Sequence, residues 1–223
     1  SPFVVKVITY LRMREVQYNT AVGDPRIAPR KKLPYIVDSD GDKLVTDSVA
    51  IIDYLQQKLG NSLDAHLSPK QLAVAEAYRA MLEQQFYFVV GYSRWFRDED
   101  FQHYRPVIGR FAEALKIPGP LRSVVVWSAR RDLKQQFWQQ GIARHTHDEI
   151  MEIGRRHLAS VAEYLADEEY FMGAKPTTID ATVYAFVSAA LWSPGGEEYV
   201  RWARMLFFVP ALAGGVFGLL GGY

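Results

Sequence analysis

No cysteine occurs in the 223 residues, which excludes disulfides, thiolate metal sites and a thiol nucleophile. The compartment stays open, because a reducing cytosol makes no demand for cysteine. Charge of one sign is equally scarce. The 26 basic and 25 acidic residues are mixed along the chain for a net +1, so there is no electrostatic footprint for a phosphate backbone and nucleic acid is not expected as a partner. Repeats and low-complexity tracts are missing, as are a P-loop, a dinucleotide fingerprint and a Ser/His/Asp triad signature. No secretory signal opens the chain, which begins with Ser rather than Met, and a processed or truncated start is expected. What is present, 49% apolar and 23% charged residues, is the composition of an ordinary globular protein with one large core or two small ones.

The stretch Lys31–Leu59 organises the rest. Leu33–Val37 and Lys43–Val45 read as two short strands, and Ser39, Asp40, Gly41 and Asp42 between them carry hairpin-turn chemistry. Asp47 or Ser48 then caps a helix whose apolar residues Val49, Ile51, Ile52, Leu55 and Leu59 share a face, with Gly60 as its stop. Upstream, Ser1 and Pro2 make a helix entry followed by Phe3, Val4, Val7, Ile8 and Leu11 at helical spacing. Val16–Thr20 reads as a short strand and Asp24–Pro29 as a loop.

Asn61–Ser68 reads as a linker, and from there to about Trp202 the pattern is helical throughout. Ser68, Pro69 and Gln71 write a capping box ahead of an apolar stripe from Leu72 to Phe86, and Thr146 with Glu149 writes a second. Pro106 and Ile117–Pro120 predict breaks, leaving helices near Val107–Leu115 and Leu121–Gln140. Thr177 and Asp180 form a reciprocal structural cap before the apolar run Ala181–Leu191, which suits the central helix of a bundle. His145 and His147 sit at a helix start with no third ligand, so no metal is expected.

The order K-L-P-Y at Lys32–Tyr35, hairpin, Asp47–Ser48 and amphipathic helix resembles the glutathione-binding half of a thioredoxin-like glutathione transferase domain. The stretches SPFVVKVITYLRM (Ser1–Met13), LDAHLSP (Leu63–Pro69), YSRW (Tyr92–Trp95), GIARHTHDEI (Gly141–Ile150) and FMGAKPTTIDATVYAF (Phe171–Phe186) resemble the failed-axon-connections group, relatives of the metaxins. This resemblance runs from Ser1 to about Trp192. It implies an α/β plus all-α fold: a thioredoxin-like, glutathione-binding domain over 1–60 with its first strand absent, a glutathione-transferase-type helical bundle over 69–202, and an apolar Gly-rich tail over 203–223. Residues lost upstream of Ser1 are the expected reason for the missing strand.

The resemblance also implies glutathione as co-substrate, an apolar electrophile as its acceptor, and no metal. Ser1 stands where related transferases hold a catalytic Ser or Cys, whose hydroxyl and helix dipole lower the pKa of the glutathione thiol. Taken locally, Ser1 is equally an ordinary N-cap. Lys32, Leu33, Pro34, Asp47 and Ser48 are the implied glutathione ligands, with a cis bond before Pro34 presenting the Leu33 backbone; locally they also fit an edge-strand proline and a plain cap. Tyr92, Trp95 and Phe96 are candidates for the acceptor pocket or for core. The group usually has Cys where this chain has Val4, which removes thiol redox chemistry at that position.

Two functions follow. One is a cytoplasmic transferase conjugating the glutathione thiolate to a small electrophile, with a homodimer implied by its relatives. The other is a non-catalytic scaffold or assembly subunit associated with a membrane or a protein partner. The uncharged tail Met205–Tyr223, 19 residues after Arg201 and Arg204, approaches the length of a membrane span, while its five glycines and Pro210 weaken its helix propensity.

Overall fold

Ser1 and Pro2 open α1 (Pro2–Met13) in the computed structural model, which describes residues 1–26, 28–38, 43–59 and 63–191. Proline at the first position sacrifices no helical hydrogen bond, and the Ser1 carbonyl accepts from the N–H of Val4 and Val5 at 3.1 and 3.2 Å. The hairpin follows as β1 (Tyr35–Asp38) and β2 (Lys43–Thr46), antiparallel with Tyr35 opposite Thr46 and Asp38 opposite Lys43. Helix α2 (Ser48–Lys58) comes next. The hairpin turn, Gly60 and the tail from Met205 lie outside the described residues.

Val16–Thr20 does not form a strand. Its residues alternate as a strand requires, but strand pairing needs a hydrogen-bonded neighbour, and among the described residues the sheet consists of β1 and β2 alone. Val16 and Tyr18 pack beside the core instead.

The remaining elements are helices: α3 (Pro69–Met81), a π-helical turn (Leu82–Phe86), α4 (Tyr87–Trp95), α5 (Asp98–Ala114), α6 (Gly119–Gln140), α7 (His147–Leu165) and α8 (Thr178–Leu191). The π-helical turn has no counterpart in the sequence pattern, whose apolar spacing passes through it unbroken. Leu72, part of the expected apolar stripe, is 42% exposed, and burial on that rod starts only at Leu82. Helix α5 begins nine residues before the expected start and runs through Pro106. Asp98, Glu99 and Asp100 stabilise its positive end, and Pro106 lies on the exposed face where the carbonyl it leaves unpaired meets water.

The described residues divide into two compact units. The first holds Ser1–Arg79 and Glu163–Ser188; the second holds Ala80–Ala162 and 189–191. In the first, Val7, Tyr10 and Leu11 of α1 meet Ile51, Ile52 and Leu55 of α2 and Ala181 of α8, with Ile36 and Val45 of the strands packed alongside. Helix α1 thus turns Tyr10, with the buried Lys6 and Thr9, inward beside Val7 and Leu11, and leaves Phe3, Val4 and Ile8 of the expected apolar face half-buried. Asp38 at the end of β1 pairs with Lys58 at 2.6 Å and accepts from the Tyr54 hydroxyl, fixing the hairpin to α2.

In the second unit Gly91 lets α4 and α6 approach. A Cβ there would lie 2.9 Å from Cζ and 3.1 Å from Cε1 of the buried Phe137. Gly91→Ala is therefore expected to destabilise the protein by about 2 kcal/mol, measured by denaturant unfolding, although alanine favours helix everywhere else.

His157 on α7 is turned away from the solvent that its neighbour Arg156 meets. Its ring is half-buried and meets Phe86 edge-on with centroids 6.3 Å apart. Burial, with Arg156 adding to it, holds its pKa below the ordinary 6.5. The folded protein therefore refuses a proton that the unfolded chain accepts. Stability from this group is complete above about pH 6.5 and declines as pH falls through the window beneath it. Thermal melts at about pH 7.5 and about pH 5.5 are expected to separate less in His157→Gln than in the parent chain.

Candidate functional site

The β1 entrance and the start of α2 meet because the hairpin register carries on one pair further: the N–H of Asp47 donates to the carbonyl of Pro34 at 3.3 Å. This brings Leu33, Pro34, Asp47 and Ser48 together. The Leu33–Pro34 peptide is cis. Among the described residues neither the N–H nor the C=O of Leu33 has a hydrogen-bond partner, so an extended ligand backbone would find one donor and one acceptor here.

Asp47 adopts φ 77° and ψ 133°, a conformation costly for any residue with a Cβ and one that clusters at ligand sites. Its carboxylate caps α2 by accepting from the Val49 N–H at 3.0 Å, and its carbonyl accepts from Ile51 at 2.8 Å. Asp47, not Ser48, is thus the cap. Ser48 opens the helix as a buried residue, and its hydroxyl makes no hydrogen bond among the described residues. The N–H groups of Ser48 and Ala50 are likewise without an acceptor there. Free N–H groups, a hydroxyl and a helix dipole converge on a place suited to a carboxylate, with the Asp47 carboxylate beside it suited to a cation.

Lys32 is exposed, directly after Arg30 (φ 56°) and Lys31 (φ 51°), which both stand in the left-handed region. The local chain therefore turns sharply before Leu33, and three cations precede it. Ser1 is exposed at the N-terminus of α1; its side chain makes no capping hydrogen bond to the helix.

Tyr92, Trp95 and Phe96 separate into two aromatic contacts within the second unit. Tyr92 is buried and stacks on Phe96, with centroids 4.9 Å apart and planes 24° apart. Trp95 packs against Phe101 and Tyr104. Polar groups gather around the first pair. Lys134 lies 5.1 Å from the Phe96 ring centre, and His147 lies 6.0 Å from that of Tyr92. The Arg97 guanidinium reaches His147 Nε2 at 3.1 Å. Burial lowers the Lys134 pKa, with Arg130 adding to the effect. Burial likewise raises that of the Tyr92 phenol. Nothing local marks these partners in the sequence, since Lys134 and His147 lie tens of positions from Tyr92; Arg97 alone is near enough in sequence for helical spacing to suggest it.

Thr177 and Asp180 are buried at the start of α8. Asp180 accepts from the Thr177 N–H and hydroxyl at 2.8 and 2.7 Å and from the Phe171 N–H at 2.7 Å. Asp64 adds a cap the sequence pattern conceals, accepting from the Thr178 N–H at 2.7 Å across 114 positions. The expected capping boxes also form: Ser68 N–H donates to Gln71 at 3.0 Å and Thr146 N–H to Glu149 at 2.8 Å.

Known proteins resemble the chain over most of its length. A family model for the glutathione S-transferase N-terminal domain matches residues 2–101, and one for the C-terminal domain matches 154–206. An isoprene-epoxide glutathione S-transferase of Rhodococcus sp. (strain AD45) is 35% identical over 190 residues, covering 83% of this chain and 78% of that one. Failed axon connections of Drosophila melanogaster is 29% identical over 84% of this chain, which spans 46% of its length. A metaxin-2 homolog of Caenorhabditis elegans is 26% identical over 80% of this chain and 75% of its own. A solved glutathione S-transferase from Rhodospirillum rubrum F11 superimposes with a TM-score of 0.56 at 15% identity, over 95% of this chain and 86% of that one.

Proposed function

Because the chain belongs to the glutathione S-transferase family, we propose that it binds glutathione at Leu33, Pro34, Asp47 and Ser48 and conjugates its sulfur to a small apolar electrophile. The observation that carries this reading is the convergence of unpaired donors and acceptors at the hairpin and α2. Glutathione has matching groups. Its cysteinyl amide can pair with the Leu33 N–H and C=O, its γ-glutamyl carboxylate with the Ser48 hydroxyl and free N–H, its ammonium with the Asp47 carboxylate, and its glycyl carboxylate with Lys32.

In this reading Ser1 donates a hydrogen bond to the thiolate at the positive end of α1, which favours the ionised sulfur at neutral pH. The thiolate then attacks an electrophilic carbon. An S–C bond forms, the carbon–oxygen bond of an epoxide or the bond to another leaving group breaks, and water protonates the departing oxygen. An epoxide is the acceptor that the name of the Rhodococcus relative suggests. Tyr92, Trp95 and Phe96 supply apolar surface for it. The domain division that fits this function is a glutathione-binding part over 1–60 and a helical part over 69–202.

The second reading is a glutathione-transferase-like scaffold, supported by the similarity to Failed axon connections and the metaxin-2 homolog. No helix among the described residues is long and apolar enough to cross a membrane, and the tail stays a proposal for a membrane or protein contact. Calorimetric titration with glutathione, paired with thioether formation on small epoxides, separates the readings. Binding with turnover that falls in Ser1→Ala is the expected result. Binding without turnover supports the scaffold, and absence of binding overturns both the site and the transferase.

A further inference from the structure

Helix α6 inverts the usual economy of a surface helix. Across its 22 residues the fully buried positions are Val126 and Phe137, whereas Leu121, Val124, Val125 and Trp127 are 54%, 58%, 40% and 61% exposed. Phe111, on α5 just before the turn into α6, is 38% exposed. The turn itself is firmly built. Ile117 N–H donates to Ala112 at 3.0 Å, Arg122 Nε donates to the Ile117 carbonyl at 2.9 Å, and Arg122 pairs with Glu113 at 3.5 Å. The apolar groups are thus held out by a formed structure.

Charge gathers at the same end. Around the turn Arg110, Lys116 and Arg122 stand with one acid, Glu113, whereas Arg130, farther along α6, pairs with Asp98 at the opposite end of α5 at 2.7 Å. Arg105, Arg110, Lys116 and Arg131 are exposed and have no carboxylate partner among the described residues. Arg131 lies 5.7 Å from the Trp127 ring centre, a cation above an amphipathic aromatic.

We propose that this end of the α5–α6 hairpin docks on an anionic lipid bilayer. Apolar side chains flanked by unpaired cations, with a tryptophan between them, are the composition of an interfacial membrane contact. Phe111, Lys116, Leu121, Val124, Val125 and Trp127 lie within about 12 Å of the turn along the helix axes, at about 1.5 Å per residue. Phe111, Leu121, Val124 and Val125 lie within about 9 Å of it, which matches the shallow penetration, about 5–10 Å, of interfacial helices. In the docked state Leu121, Val124 and Val125 enter the acyl boundary, Trp127 sits among the headgroups, and Arg110, Lys116 and Arg131 meet phosphates. A second copy of this chain fits the surface worse, because the surface would oppose its cations to one another, and Glu113, the acid at the turn, is already paired with Arg122.

Flotation of the full chain with vesicles tests the proposal. Vesicles of equal parts phosphatidylcholine and phosphatidylserine are expected to carry the protein at low salt and release it at high salt, while phosphatidylcholine alone leaves it in solution. Each cation contributes about fivefold to such partitioning, so Arg110→Glu with Lys116→Glu and Arg131→Glu should lower it about a hundredfold or more. Leu121→Ser with Val124→Ser and Trp127→Ser should lower it comparably; all these positions are exposed, and unchanged circular dichroism confirms the fold. Unaltered flotation of both variants would place the contact elsewhere, for example in the tail from Met205, and overturn the proposal. Equal flotation with neutral vesicles would overturn it too, as would failure to bind either vesicle. A dimer in size-exclusion chromatography that both variants dissolve, without vesicle binding, would assign the surface to a second copy instead.

Discussion

Asp180→Ala is expected to destabilise the protein by about 3 kcal/mol, measured by urea unfolding at neutral pH. A plain helix cap is worth about 1 kcal/mol, but Asp180 does more than cap. One carboxylate, 3% exposed, holds the N–H and hydroxyl of Thr177 and the N–H of Phe171. Alanine would leave those buried donors without acceptors, and the cost of orphaned donors exceeds the net worth of the bonds that satisfied them. Glutathione affinity of the folded variant should be unchanged. Asp180→Asn should cost less, because one amide oxygen still accepts.

The same residue gives a pH signature. Burial pushes the Asp180 pKa above the ordinary 3.8, opposed by its hydrogen bonds to Phe171 and Thr177 and reinforced by the nearby Asp64 charge. The folded state then binds a proton more readily than the unfolded chain does. This contribution favours folding most at low pH and is lost as pH rises through the raised value. Its sign is opposite to that of His157, so Asp180→Asn is expected to steepen the loss of stability on acidification, whereas His157→Gln flattens it.

What the sequence made legible was whatever is settled within a few residues. The hairpin, within two residues at its first strand, the three capping pairs at Ser68, Thr146 and Thr177, and the face Ile51, Ile52 and Leu55 of α2 are local patterns that form as expected, whereas α1 buries Lys6, Thr9 and Tyr10 beside Val7 and Leu11 and leaves Phe3, Val4 and Ile8 half-buried. Features decided at a distance were hidden. Val16–Thr20 has strand-like alternation but lacks a paired neighbour among the described residues, and Pro106 reads as a breaker although an exposed carbonyl and three acids let α5 run through it. Asp64 reads as a linker residue because the N–H it caps belongs to Thr178. At the site, the D-S pair pointed to a helix cap. The positive φ of Asp47 becomes visible only in three dimensions, whereas presentation of the Leu33 backbone to a ligand was already implied by the family resemblance.

Asp47→Gly and Asp47→Ala are expected to weaken glutathione binding alike, by about tenfold or more, while moving stability in opposite directions. Both remove the carboxylate proposed to meet the glutathione ammonium, and a charge-assisted hydrogen bond of that kind is worth about 1.5–3 kcal/mol. Stability divides them because φ 77° penalises any Cβ. Alanine keeps the penalty and loses the cap to Val49, for a net loss of about 1 kcal/mol. Glycine relieves the backbone and, as a cap, gives up only a few tenths, so the folded state gains about 1 kcal/mol. Calorimetry with glutathione alongside thermal unfolding reads both effects. A glycine variant that is more stable yet binds poorly would identify the Asp47 conformation as strain maintained for the ligand. A glycine variant that binds as tightly as the parent would reduce Asp47 to a helix cap, and glutathione would then depend on the Leu33 backbone and Ser48 alone.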